Sequence, residues 1–165
     1  MNKTSLATIV LALAAPIALV GCSNSSSTEM ISLTLQSNFD DRQIMDTGED
    51  GSTLGDYVNG NGDLLDESGQ VIGQFDTTSH TTGVTEATET RMVIAEYQFG
   101  DGADSFLIQG AEQFETADGL PVLDRPLTYA VIGGTGKYFG ANGECLVHRR
   151  QDAYTIECTF LAIKR

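Results

Sequence analysis

Beyond residue 28 the apolar positions never settle into a helical repeat. They fall in short runs that alternate with polar residues or gather β-branched and aromatic side chains, each run broken by Gly or Asp. The pattern predicts strands over 30–39, 54–66 (with a break near Gly60-Asn61-Gly62), 70–82, 87–99, 104–115, 126–132, 141–150 and 154–164. Turn signals such as Asp66-Glu67-Ser68-Gly69, Asp101-Gly102 and Asp118-Gly119 separate them. Eight strands at this spacing argue for an antiparallel sandwich or a closed barrel. With little helix to cover a sheet, and no Trp, closure into a barrel is the simplest way to remove exposed edges.

The final hairpin gives the clearest faces. Val147, Arg149, Tyr154, Ile156, Phe160, Cys145 and Cys158 share the side expected to face inward. Glu144, His148, Thr155, Glu157 and Thr159 share the other. A loop centred between Gln151 and Asp152 sets Cys145 directly opposite Cys158, close enough to bridge. A disulfide is the favoured state in an oxidising compartment, with two buried thiols as the alternative. Upstream, Tyr129 to Gly143 runs Y-A-V-I-G-G-T-G-K-Y-F-G-A-N-G, a strand, a glycine corner and a second strand. Gly133, Gly134, Gly136, Gly140 and Gly143 are expected to set the backbone there, with Tyr138 or Phe139 plugging or flanking the barrel.

The N-terminal segment has a different character. Lys3 precedes a nearly uncharged apolar run from Leu6 to Val20, closed by Leu19-Val20-Gly21-Cys22. The run is too short and too Ala-rich for a spanning helix and reads as a signal peptide. The L-V-G-C tetrapeptide resembles a bacterial lipobox, which implies removal of residues 1–21 and lipidation of Cys22. Residues 22–29 then form an anchor and polar tether, and 30–165 the barrel domain. The resemblance implies a bilayer as partner, and Ser23 after the cysteine implies outer-membrane sorting within a bacterial envelope.

Charge removes several classes of function. The chain carries a net −14, and loss of Lys3 with the leader makes it −15. Such a surface repels phosphate backbones, so nucleic acid is disfavoured as a partner. The acidic residues lack calcium-loop spacing, and His80 and His148 have no third ligand nearby, so no metal site is expected. Gly133-Gly134-Thr135-Gly136 lacks the Lys-Ser/Thr of a phosphate loop, and no serine-hydrolase elbow is present.

The glycine corner, Gly62-Asp63-Leu64-Leu65 with Gly69 and Gly73, Tyr97 to Asp101 with Ile108-Gln109-Gly110, and Tyr154 to Lys164 together resemble the allene oxide cyclase and dirigent barrels. The resemblance covers the chain from about Ile31 onward. It implies an all-β, eight-stranded antiparallel closed barrel of calycin type, with an apolar lumen and association as dimers or trimers. In the cyclases a Glu and an Asn on the first strand handle substrate; the matching positions here are Gln36 and Asn38, and Gln cannot act as an ionised base. A lumen Cys of that family matches Ser79, and Asn142 stands where dirigents commonly carry Arg. The resemblance therefore sets Gln36 and Asn38 in the lumen, whereas alternation buries Ile31, Leu33 and Leu35 and turns those two outward.

Three functions are compatible with this reading. The first is a membrane-tethered barrel that binds a small apolar molecule in its lumen. The second is a cofactor-independent cyclase or isomerase of a reactive hydrophobic intermediate, with Asn38, Tyr57, Ser79 and Tyr97 as lumen candidates. The third is a structural envelope protein with a filled barrel. The shape and polarity of the interior discriminate among them.

Overall fold

The computed structural model describes residues 27–115, 123–150 and 153–164. The leader and Cys22 lie outside this range, as does the turn at Asp118-Gly119. Eight strands form one closed antiparallel barrel in sequence order: β1 (Thr28–Met45), β2 (Tyr57–Leu65), β3 (Val71–Val84), β4 (Thr88–Phe99), β5 (Asp104–Glu115), β6 (Pro126–Gly134), β7 (Asn142–Arg149) and β8 (Tyr154–Ile163), with β8 pairing back onto β1. Alternation drives this arrangement. In β4, Glu89, Arg91, Val93, Ala95 and Tyr97 are buried while the residues between them are only partly covered.

Two expected strands differ from what forms. β1 continues to Met45 instead of stopping near residue 39, because a bulge between Phe39 and Asp41 absorbs one residue in the pairing with β2. The bulge inverts the strand's phase, so Leu35 and Ser37 face inward before it and Arg42 lines the interior after it. The expected break at Gly60-Asn61-Gly62 is instead continuous strand. Gly62 is there because β1 passes close behind it: a Cβ at Gly62 would sit 1.8 Å from the Asn38 carbonyl oxygen.

The glycine corner is a short 3-10 turn at Gly136–Tyr138 fastened to β5. The Thr135 amide donates to the Ser105 carbonyl (2.7 Å), and the Lys137 amide donates to Asp104 Oδ1 (2.9 Å). Gly136 has φ +53° and lies where a side chain would strike Asp104. Open space surrounds the position of the missing Cβ at Gly133, so packing does not demand a glycine there. The corner turns Tyr138 inward to 3% exposure and leaves Phe139 outside. Tyr138 meets Phe99, Phe106 and Phe160 with ring centroids 5.1–5.7 Å apart, an aromatic layer that plugs this end. Cys145 and Cys158 pair in register and form a buried disulfide just inside it.

The chain also enters and leaves at the plugged end, where the Lys164 amide donates to the Ser27 carbonyl (2.9 Å). The β1–β2 and β3–β4 connections lie at the opposite end. There the buried Asp56 carboxylate accepts from the Thr47 and Thr53 amides (3.0 and 2.7 Å) and from both hydroxyls, which folds the 46–56 connection onto itself. The Thr47 amide is the largest of the influences that hold Asp56 below the usual carboxylate range.

Candidate functional site

Between the aromatic plug and the 46–56 end, the barrel is not filled. A cavity of about 90 Å³ lies there, and its walls are mostly apolar: Val58, Phe75, Val93, Ala95, Ile108 and Val147. Polar groups enter it from six strands: Ser37 and Arg42 from β1, Thr77 and Ser79 from β3, Arg91 and Tyr97 from β4, Glu112 from β5, Tyr129 from β6 and Tyr154 from β8.

Glu112 is the unusual member. It occupies the inward phase of β5 with Phe106, Ile108 and Phe114 and is 5% exposed. The Tyr129 hydroxyl donates to its Oε2. That reach depends on Gly110, two residues before Glu112 on the same face: the Tyr129 ring lies across it, 2.9 Å from where a Cβ would stand. Arg91 faces Glu112 directly across the β4–β5 pairing. Its guanidinium forms an ion pair with the buried Glu89, lies 4.4 Å above the Phe114 ring, and Glu89 in turn accepts from the Thr81 hydroxyl (3.3 Å). Arg91 therefore belongs to a buried pair on the same wall.

Burial decides the ionisation of Glu112. Loss of solvation pushes its carboxyl up to about 7, against the opposing pull of the Tyr129 hydrogen bond and the Arg91 charge. Tyr97 and Tyr129 are both driven above the ordinary phenol range, first by burial and then by the Glu112 charge, so both remain neutral donors. The chamber thus presents, near neutral pH, one carboxyl able to exist as acid or base, with neutral phenols beside it.

The sequence candidates divide. Ser79 and Tyr97 line the cavity. Asn38 does not: it is exposed on the outside of β1, because Leu35 and Ser37 pair with Ile156 and Tyr154 across the β1–β8 seam and fix the phase before the bulge. Gln36 faces outward with it, so alternation prevails over the resemblance at this strand. Tyr57 is also outside, 44% exposed and in contact with the His80 ring at 5.9 Å, because its neighbour Val58 takes the inward position. Glu112, Tyr129, Arg91 and Glu89 were not anticipated. The readable signal was their phase: each falls in step with apolar residues that face inward, as Arg91 does with Val93 and Ala95.

No protein-family model and no curated protein matches the chain. Solved structures do resemble it. Pyocyanin demethylase superposes with a TM-score of 0.63 at 21% identity, covering 78% of this chain and 99% of that one. A nonspecific heme-binding cyclase that catalyses a cycloaddition during neoabyssomicin biosynthesis gives 0.61 at 15% identity, over 82% of this chain and 65% of that one. A pterocarpan synthase dirigent protein gives 0.56 at 13% identity, over 95% and 98%. At these identities the likeness concerns architecture, and the chain has the barrel fold shared by dirigent proteins and such cyclases.

Proposed function

We propose that this chain is a small-molecule-binding barrel that takes a compact, mainly apolar ligand through the end bounded by the 46–56 connection. The observation that carries the reading is the chamber itself: plugged by aromatic rings at one end and walled mostly by apolar side chains. A filled structural barrel is disfavoured by the same fact. At about 90 Å³ the chamber is smaller than the roughly 300–1,000 Å³ that encloses a drug-sized ligand, so one ring enters and any remainder stays at the mouth. Filling the chamber tests this. Ala95→Phe should abolish ligand-induced changes in tyrosine emission, which no Trp masks, while leaving the circular dichroism of the barrel intact. Unaltered ligand response in that variant would place binding elsewhere.

A second reading, a cofactor-independent isomerase or cyclase, is favoured by one specific observation. Glu112 is a carboxyl with a raised pKa beside a phenol in a mostly apolar chamber, the arrangement expected of a general acid. The cyclase and demethylase among the structural neighbours support it by analogy of architecture alone.

We further infer that the mature chain is tethered through a lipidated Cys22. The described chain begins at Ser27 on the plugged end, so such a tether holds that end and turns the mouth away from the bilayer. A ligand then arrives from the aqueous side. Globomycin should cause the unprocessed precursor to accumulate in an expressing bacterium; normal maturation under the drug would remove the anchor from this account.

A further inference from the structure

Four observations bear on what the chamber holds, given the binding reading above. First, among the described residues Glu112 is the one carboxyl that lines the cavity. Second, the Tyr129 hydroxyl donates to Oε2, which orients the group and assigns an acid proton to Oε1. Third, the Arg91 guanidinium across the sheet is already engaged by Glu89, whose second oxygen accepts from Thr81. Fourth, apolar side chains make up most of the rest of the wall, with Arg42 and the Ser37, Ser79 and Tyr97 hydroxyls set among them. A carboxyl fixed in this way is costly as an anion and useful as a hydrogen-bond donor.

We propose that Glu112 serves as a carboxylic-acid donor to the ligand, and that the chamber selects compact, uncharged molecules bearing a carbonyl-type acceptor over hydrocarbons and over anions of the same size. The acceptor lies against Glu112 and the ring against Val93, Ala95 and Ile108. An unpaired carbonyl pushed into this chamber would lose its water for nothing; one that meets Oε1–H regains a partner. A ligand anion would meet Glu112 as a competitor for negative charge.

Because only the protonated form donates, affinity follows the ionisation of Glu112. The groups facing it are Arg91, Glu89 and Tyr97 on β4, Tyr129 on β6, Tyr154 on β8 and Arg42 on β1. Burial favours its protonation, while the Tyr129 hydrogen bond and the Arg91 charge oppose it. Tyr97 and Tyr129 stay protonated throughout the working range.

Three single-ring probes test this: acetophenone, α-methylstyrene (the same shape with no acceptor) and benzoate. Binding is followed by protein NMR titration from pH 5.5 to 8.5. In the parent, acetophenone should bind at least tenfold tighter than α-methylstyrene at pH 5.5 and weaken about 30-fold by pH 8.5, as the donor form is depleted. α-Methylstyrene should be flat with pH, and benzoate should bind more weakly than acetophenone throughout. Glu112→Gln, which keeps an N–H donor, should retain acetophenone binding and lose its pH dependence; Glu112→Leu should bind acetophenone and α-methylstyrene alike. If α-methylstyrene binds but acetophenone gains nothing over it, or if benzoate binds best, the donor role is wrong and the chamber stands. If none of the three binds, the chamber reading fails along with it.

Discussion

Phe106→Ala should cost about 4 kcal/mol and lower the melting temperature by roughly 15 °C. Phe106 is fully buried and joins the two halves of the aromatic layer, with ring centroids 5.0 Å from Phe160, 5.2 Å from Tyr97, 5.4 Å from Tyr138 and 6.0 Å from Phe99. Removing it leaves a void bounded by rings that β4, β8 and the glycine corner hold in place, so little collapse can offset the loss. Tyr138→Ala should cost less, because the Tyr138 ring meets three others where Phe106 meets four. Urea denaturation of both variants makes the comparison. A Phe106→Ala penalty under about 1 kcal/mol would mean that the plug is not a packed layer, and the one-ended chamber would go with it.

Much of this fold was legible because a barrel writes its inside and outside into every strand. Val93, Ala95 and Tyr97, or Ile156, Cys158 and Phe160, repeat at every second position, and the register expected for the last hairpin, Cys145 opposite Cys158, is the one that forms. What alternation could not show was the bulge at Phe39–Asp41. A polar run such as D-D-R-Q gives no sign of a phase change, and only the pairing with Asn61 and Gly62 reveals it. The site was less legible for a different reason. Resemblance drew attention to Asn38, whereas the local pattern already turned that side chain outward. Glu112 could have been found by asking which charges share a phase with the core, since a carboxylate in step with Phe106, Ile108 and Phe114 contradicts the usual hydrophobic interior. Its partner was harder: that Tyr129 reaches Glu112 depends on the bare backbone at Gly110, and no pattern within β6 announces a gap in β5.

The second large effect concerns stability against pH. Glu112 has a native value raised from 4.5 to about 7 by burial. At low pH, below the unfolded value, both states hold the proton and the group is neutral to folding. Between the two values the native state keeps a proton that the unfolded chain releases, so stability contributed by the protonated group is lost as pH rises and levels off above about 7. The span corresponds to about 3 kcal/mol by pH 8. Glu112→Gln preserves the shape and still accepts from Tyr129, but has nothing to ionise. It should match the parent near pH 4.5 and exceed it by about 2–3 kcal/mol at pH 8 in urea denaturation. General repulsion in this acidic chain also grows with pH, but it acts on parent and variant nearly alike and cancels in the difference. The Asp56 carboxylate shifts the other way and loses its stabilising contribution only in acid, below about pH 4, outside the window that isolates Glu112. Parallel curves for parent and Gln variant from pH 5 to 8 would show that Glu112 is ionised at little cost, and would remove the proton donor from the chamber. Divergent curves would locate stability given up at the single wall position where the chamber can offer an acid proton, as expected of a group held for its chemistry at the expense of the fold.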